Sequence, residues 1–71
     1  MRAMHRLDPG ALQDARLDAG LTVADLASQV GVSPQTIYRW LRMASGVADA
    51  TLLRLAAALG VDAVDLLADD N

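Results

Sequence analysis

The sequence predicts an all-α fold, five short helices in one compact domain with a helix-turn-helix at the centre. Three observations lead there. Breakers at Pro9-Gly10, Gly20, Gly31, Gly46 and Gly60 cut the chain into short segments. Within the segments apolar residues recur at helical rather than alternating spacing. Four of the segments also open with the same start signal, a short polar residue bracketed by two apolar ones. Aromatic and β-branched runs bounded by turns are absent, so no strand is expected.

The first helix is expected over residues 9–19. Asp8 offers a carboxylate oxygen to the free N–H groups of the first turn, and Pro9 occupies the first helical position, where a missing N–H is harmless. Leu7 and Leu12 bracket the cap as a hydrophobic staple, and Gly20 closes the helix in a left-handed conformation. The second helix is expected over residues 23–30, with Thr22 and Asp25 as a capping box and Leu21 with Leu26 as its staple. Its Val23, Leu26, Ala27 and Val30 share one buried face, and Gly31 ends it.

Ser33, Pro34 and the pair Val32 with Ile37 repeat the pattern for a third helix over residues 34–43. The fourth, over residues 49–59, places Leu52, Leu55, Ala56 and Leu59 on one face and ends at Gly60. The fifth, over residues 63–68, starts from Asp62 with Asp65 and the staple Val61 with Leu66. Residues 1–6 and 69–71 are expected to be flexible tails around a domain of residues 7–68.

Composition narrows the setting. Seventy-one residues form one small domain, and with no cysteine there is no disulfide frame, thiolate metal site or thiol nucleophile. Neither a signal-peptide core nor an apolar run near ~20 residues is present, so a soluble, cytoplasmic protein is expected. Every acid is Asp and every base Arg, which reads as genomic compositional bias.

The net charge of -3 is unevenly spread. Residues 28–54 hold Arg39, Arg42 and Arg54 against Asp49, or +2; residues 1–27 hold three Arg against four Asp, or -1; residues 55–71 hold four Asp, or -4. With a Debye length of ~8 Å at physiological salt, acid at one end of the fold does not cancel base at the other.

Only Gly31, Val32 and Ser33 separate the second and third helices, and so short a turn makes them cross steeply, as in a helix-turn-helix. On the third helix, at about 100° per residue, Ile37, Trp40 and Leu41 fall on one arc and Gln35, Tyr38, Arg39 and Arg42 on the other. Amide, phenol and guanidinium groups therefore face solvent together.

The segment TVADLASQVGVSPQTIYRWLR resembles the helix-turn-helix of the Cro and lambda-type repressor family, also called the XRE family. LQDARLDAGLT before it is similar to the family's first helix, and TLLRLAAALGVDAVDLL after it to the fourth and fifth. The resemblance runs without a gap over residues 7–68 and implies the compact lambda-repressor-like domain. It further implies a sequence-specific DNA-binding transcriptional regulator, most simply a repressor on a palindromic operator, with residues 34–43 in the major groove of double-stranded DNA.

The N-terminal part of such a helix meets base edges. Ser33, Gln35, Thr36 and Arg39 are therefore the expected base contacts, with Pro34 suited to a thymine methyl. Thr22, Tyr38, Arg42 and Ser45, the last in the loop of residues 44–47, are the expected phosphate contacts. Val64, Leu67 and Ala68 are expected to form a homodimer interface, which would space two recognition helices by ~34 Å.

The chain departs from the family at several places. Many members pair an Arg at position 16 with a Glu at position 41, but Leu41 stands here, so Arg16 is expected to meet Asp14, Asp18 or solvent. Val23 replaces a frequent phosphate-binding Gln, Met43 a helix-closing Gly, and Val47 a Pro before the fourth helix. Leu41, Met43 and Val47 together suggest an apolar patch for a protein partner, unless the N-terminal segment covers it.

No enzyme is expected. His5, the one histidine, has no second metal ligand arranged with it and is expected to be idle. Asp62 with Asp65 and Asp69 with Asp70 read as a cap and a solvated end rather than acid and base. No catalytic residue, metal site or cofactor is assigned. The rival reading is a protein-interaction module of the same fold that has lost DNA. TIYRWLR also resembles winged proteins of the excisionase or MerR type, but a Leu- and Ala-rich helix stands where their β-hairpin wing would follow.

Overall fold

In the computed structural model, which describes residues 4–68, a short strand β1 (Met4–Arg6) leads into helices α1 (Pro9–Ala19), α2 (Val23–Val30) and α3 (Pro34–Arg42). Strand β2 (Gly46–Ala48), helix α4 (Asp49–Leu59) and a closing 3-10 helix (Ala63–Leu66) follow. The start signals act as the sequence predicts in the first three helices. Gly10 N–H donates to the Asp8 carboxylate at 3.0 Å, Asp25 N–H to Thr22 Oγ1 at 3.0 Å, and Thr36 N–H to Ser33 Oγ at 3.3 Å. At α2 the box is reciprocal, since Thr22 N–H donates to the Asp25 carboxylate at 3.2 Å.

Among the described residues the core contains apolar side chains only: Leu7, Leu12, Leu26, Ala27, Val30, Ile37, Trp40, Val47, Leu52, Leu55, Ala56, Leu59 and Leu66. All four staple pairs lie in it or against it. The helix-helix turn rests on Gly31, whose φ of 85° is left-handed and lets its N–H reach the Ala27 carbonyl at 2.8 Å. Ala27 beside it is buried, and its small side chain permits the close crossing of α2 and α3.

Three expectations change. The fifth helix is a 3-10 turn that stops at Leu66, and Asp62 makes no side-chain cap bond, so the expected box with Asp65 does not form. Beyond Leu66 the chain is drawn into extended pairing: Ala68 N–H donates to the Arg6 carbonyl at 2.8 Å, Leu67 bridges to Leu7, and Asp8 N–H donates to the Leu66 carbonyl at 2.9 Å. Those bonds take the place of a further α-helical turn. Helix α3 likewise ends at Arg42, because Met43, lacking glycine's freedom, goes extended with φ -145°.

Two strands exist where none was expected. Met4–Arg6 runs antiparallel to Gly46–Ala48, with Met4 opposite Ala48, His5 opposite Val47 and Arg6 opposite Gly46. Residues 4–6 are therefore paired rather than a loose tail, while residues 1–3 and 69–71 lie outside the described residues. The N-terminal segment is held on both sides, by β2 and by residues 66–68, and Leu7 N–H also donates to the Ser45 carbonyl at 2.9 Å. His5 is not idle in this arrangement: paired with buried Val47, it donates from Nε2 to the Asp49 carboxylate in the first turn of α4. Helix α4 has no side-chain cap of its own, and the Asp49 carboxylate complements its N-terminal dipole.

Candidate nucleic-acid interface

Helix α3 is fixed by its inner face. Ile37 and Trp40 are buried, Leu41 packs half-buried against the core, and the helix cannot roll without pulling them out. Rotation by about 100° per residue then leaves Gln35, Tyr38, Arg39 and Arg42 outside, all four exposed, Tyr38 at 56%. Among the described residues no carboxylate lies within ion-pair distance of Arg39 or Arg42. Both guanidinium groups are thus open to an external acceptor.

Ser33 and Pro34 are exposed at the N-terminal tip of α3, and Thr36 is half-buried one turn in. Ser33 Oγ and Thr36 Oγ1 lie 3.0 Å apart, so the two hydroxyls share a hydrogen bond and hold each other's rotamer. Since a hydroxyl carries one donor and two acceptor positions, and Ser33 Oγ also accepts from the Thr36 N–H, Ser33 retains capacity for one more partner and Thr36 for two. The expected base-contacting set Ser33, Pro34, Gln35, Thr36 and Arg39 is therefore gathered on one end and one side of α3.

The expected phosphate-contacting residues are less uniform. Tyr38 and Arg42 stand on the same exposed side. Thr22 is exposed at the start of α2, but its partner Asp25 sets a carboxylate at the same N-terminus, where it occupies the positive end of the helix dipole. Ser45 is half-buried and its hydroxyl donates to the Met43 carbonyl at 3.2 Å, an internal use that sequence reasoning did not foresee.

Arg16 also departs from expectation. It turns away from Asp14 and Asp18, donating from Nη1 to the Leu21 carbonyl at 2.8 Å and from Nη2 to Gln13 Oε1 at 2.9 Å. The guanidinium bridges the end of α1 to the lead-in of α2. With Leu41 unable to accept, the nearby carbonyl and amide supply the acceptors.

The patch expected at Leu41, Met43 and Val47 is not continuous. Val47 is buried in the core, Leu41 packs against the core, and Met43 alone of the three stays open, at 56% exposure. Of the expected dimer residues, Val64 is 71% exposed, whereas Leu67 and Ala68 are half-buried in the pairing with the N-terminal segment. Among the described residues no three His or Asp side chains gather as a metal site, and no helix is long and apolar enough to cross a membrane. Sequence reasoning also missed Arg6, exposed on β1 opposite Gly46, because its placement depends on strand pairing some forty residues apart in the chain.

The family profile described as helix-turn-helix matches residues 12–66. Among solved structures, the whole chain overlays a segment amounting to 14% of a hydroxyethylphosphonate dioxygenase, with 28% identity and a TM-score of 0.77. The restriction-modification controller protein C.AhdI from Aeromonas hydrophila matches with 25% identity and a TM-score of 0.74, covering 83% of this chain and 89% of that one. A hypothetical transcription factor from Neisseria, 22% identical, shares the fold at a TM-score of 0.68 over 94% of this chain and 86% of its own. Among curated proteins no sequence matches the chain. With the profile running from Leu12 to Leu66 and so taking in all of α2, the Gly31 turn and α3, the chain belongs to the helix-turn-helix family, of the Cro and lambda-type (XRE) kind.

Proposed function

We propose that the chain is a sequence-specific transcriptional regulator, most simply a repressor that occupies a palindromic operator as a homodimer and blocks polymerase in the cytoplasm. Helix α3 enters the major groove. Arg39 donates in bidentate fashion to guanine O6 and N7, Gln35 pairs with the adenine N6 and N7 edge, Pro34 abuts a thymine methyl, and Ser33 with Thr36 bonds the first base edge or its phosphate. Tyr38, Arg42, Thr22 and the Ser45 loop hold the backbone and set register.

The observation that carries this reading is the exposure of Gln35, Arg39 and Arg42 together on a helix whose opposite face is locked by Ile37 and Trp40, with no ion-pair partner for either cation among the described residues. Selection of bound sequences from a random DNA pool tests it. Wild type is expected to yield one motif with half-site symmetry, and Arg39→Ala to lose discrimination at one base pair by ~1–3 kcal/mol. Recovery of no motif by wild type overturns the reading.

A second reading has its own support. The same fold forms 14% of a dioxygenase chain, so this helical unit also occurs joined to another protein body, and a net charge of -3 suits a module that has given up DNA. Retention on heparin or random DNA separates the two: salt-dependent retention supports the regulator, and indifference to both supports a protein-interaction module.

A further inference from the structure

The strand pairing brings one cation from outside the helix-turn-helix beside the loop that follows α3. Arg6 sits on β1 opposite Gly46, and directly paired residues on antiparallel strands have Cα atoms ~4.5–5.5 Å apart. Gly46 is four residues beyond Arg42, so the two arginine backbones are at most ~20 Å apart by way of the loop, taking ~3.6 Å per residue and one strand spacing. Alternation along β1 turns half-buried His5 toward Val47 and Asp49, and leaves Met4 and Arg6 on the outer face. Glycine at position 46 leaves only the Met4 side chain against that face, 3.6 Å from where a Cβ would stand. Among the described residues Arg6 has no carboxylate within ion-pair distance.

We infer that Arg6 is a phosphate-contacting residue, which extends the backbone interface from the C-terminal end of α3 across the loop to β1. The inference rests on the regulator reading above. In that docking the C-terminal end of α3 and the loop after it run beside the sugar-phosphate backbone, where charges repeat every ~3.4 Å of axis on each strand. Arg42 and Arg6 then engage separate phosphates of the same stretch. Backbone bonds fix the position of Arg6 on three sides: β1 with β2, Leu7 N–H on the Ser45 carbonyl, and Ala68 N–H on the Arg6 carbonyl. The backbone that carries this cation is thus already ordered before binding. For an acidic chain with only Arg39 and Arg42 on α3, one more neutralised phosphate is a large share of the whole electrostatic contact.

The test compares full-length wild type, Arg6→Gln and Arg54→Gln on one selected operator and on random-sequence duplex, over a series of salt concentrations. Arg54 is the control of equal charge, since it lies on α4 beside Gln29, at the end of α2 opposite the Thr22 cap. Arg6→Gln is expected to reduce the slope of log affinity against log salt by about 0.9 per half-site and to weaken both duplexes alike, with the selected motif unchanged. Arg54→Gln is expected to leave the slope as it was. An unchanged slope in Arg6→Gln, with wild type still binding its motif, overturns the role of Arg6 and spares the regulator. Equal loss in both variants also overturns it, because net charge alone would then be the cause. Failure of wild type to bind either duplex overturns both. Circular dichroism and the unfolding midpoint confirm that the exposed substitution leaves the fold intact.

Discussion

At Asp25 the requirements of folding and of the proposed DNA binding conflict. Its carboxylate completes the capping box with Thr22, yet it places a negative charge at the N-terminus of α2, the end to which the proposed docking assigns a phosphate. Asp25→Asn keeps a side-chain acceptor for the Thr22 N–H and removes the charge. The variant is expected to bind random duplex several-fold more tightly at low salt while losing ~0.3–1 kcal/mol of stability from the helix-dipole contribution, measured by filter binding and urea denaturation. Trp40 is the opposite case, a residue with one role. Buried under α3, it is expected to cost about 3–5 kcal/mol when replaced by Ala, enough to unfold much of a domain this small, with DNA binding lost only as a consequence.

Among the elements, the helix-turn-helix and the β1–β2 ribbon differ in how they are specified. The turn depends on local chemistry, above all Gly31 with its positive φ. A Cβ there meets nothing within 4 Å, so the cost of Gly31→Ala is conformational alone, about 1–2 kcal/mol, and should appear as a lower unfolding midpoint without a change in the bound DNA motif. The ribbon depends on partners far away in the chain. Deletion of residues 1–6 is expected to uncover Val47 and to raise amide hydrogen exchange across residues 43–48, while α1, α2 and α3 stay protected. Protection unchanged in that loop would mean that β1 does not hold it.

This contrast explains what was legible before the structure. Caps, staples and glycines are signals within a few residues of one another, so the bounds of α1 and α2 and the end of α4 at Gly60 follow from them directly. The fifth helix failed because tertiary pairing of residues 66–68 with the N-terminal segment outcompeted a weak local cap at Asp62. His5 and Arg6 carry no local pattern at all. The candidate site was legible where it lies on α3 and illegible where it lies on loops: Ser45, expected to be free, spends its hydroxyl on Met43.

At the scale of the whole molecule, size bears on the proposed reading of a two-fold operator. The longest extent is 31 Å, and there is one α3, so on that reading a single chain would reach one half-site while the next lies ~34 Å along the duplex. Reading a two-fold operator therefore requires two copies. Val64, 71% exposed on the 3-10 helix, is the proposed contact, and Val64→Asp is expected to leave the unfolding midpoint within ~0.5 kcal/mol of wild type in stability. The same variant should sediment as a monomer and lose the symmetric half of its footprint; a dimer that persists would place the interface elsewhere.

Taken by itself, the sequence determined the helices, the Gly31 turn and the outward side of α3, because each depends on hydrogen bonds and side chains within one or two turns. Only the tertiary structure decided that Val47 is buried, that Arg16 joins α1 to α2, and that Arg6 stands beside the loop after α3. The placements of Val47 and Arg6 rest on pairing between segments some forty residues apart, and no local periodicity records which distant backbone a strand will find; Arg16 has several acceptors within reach in the chain, and only the folded turn selects Leu21 and Gln13.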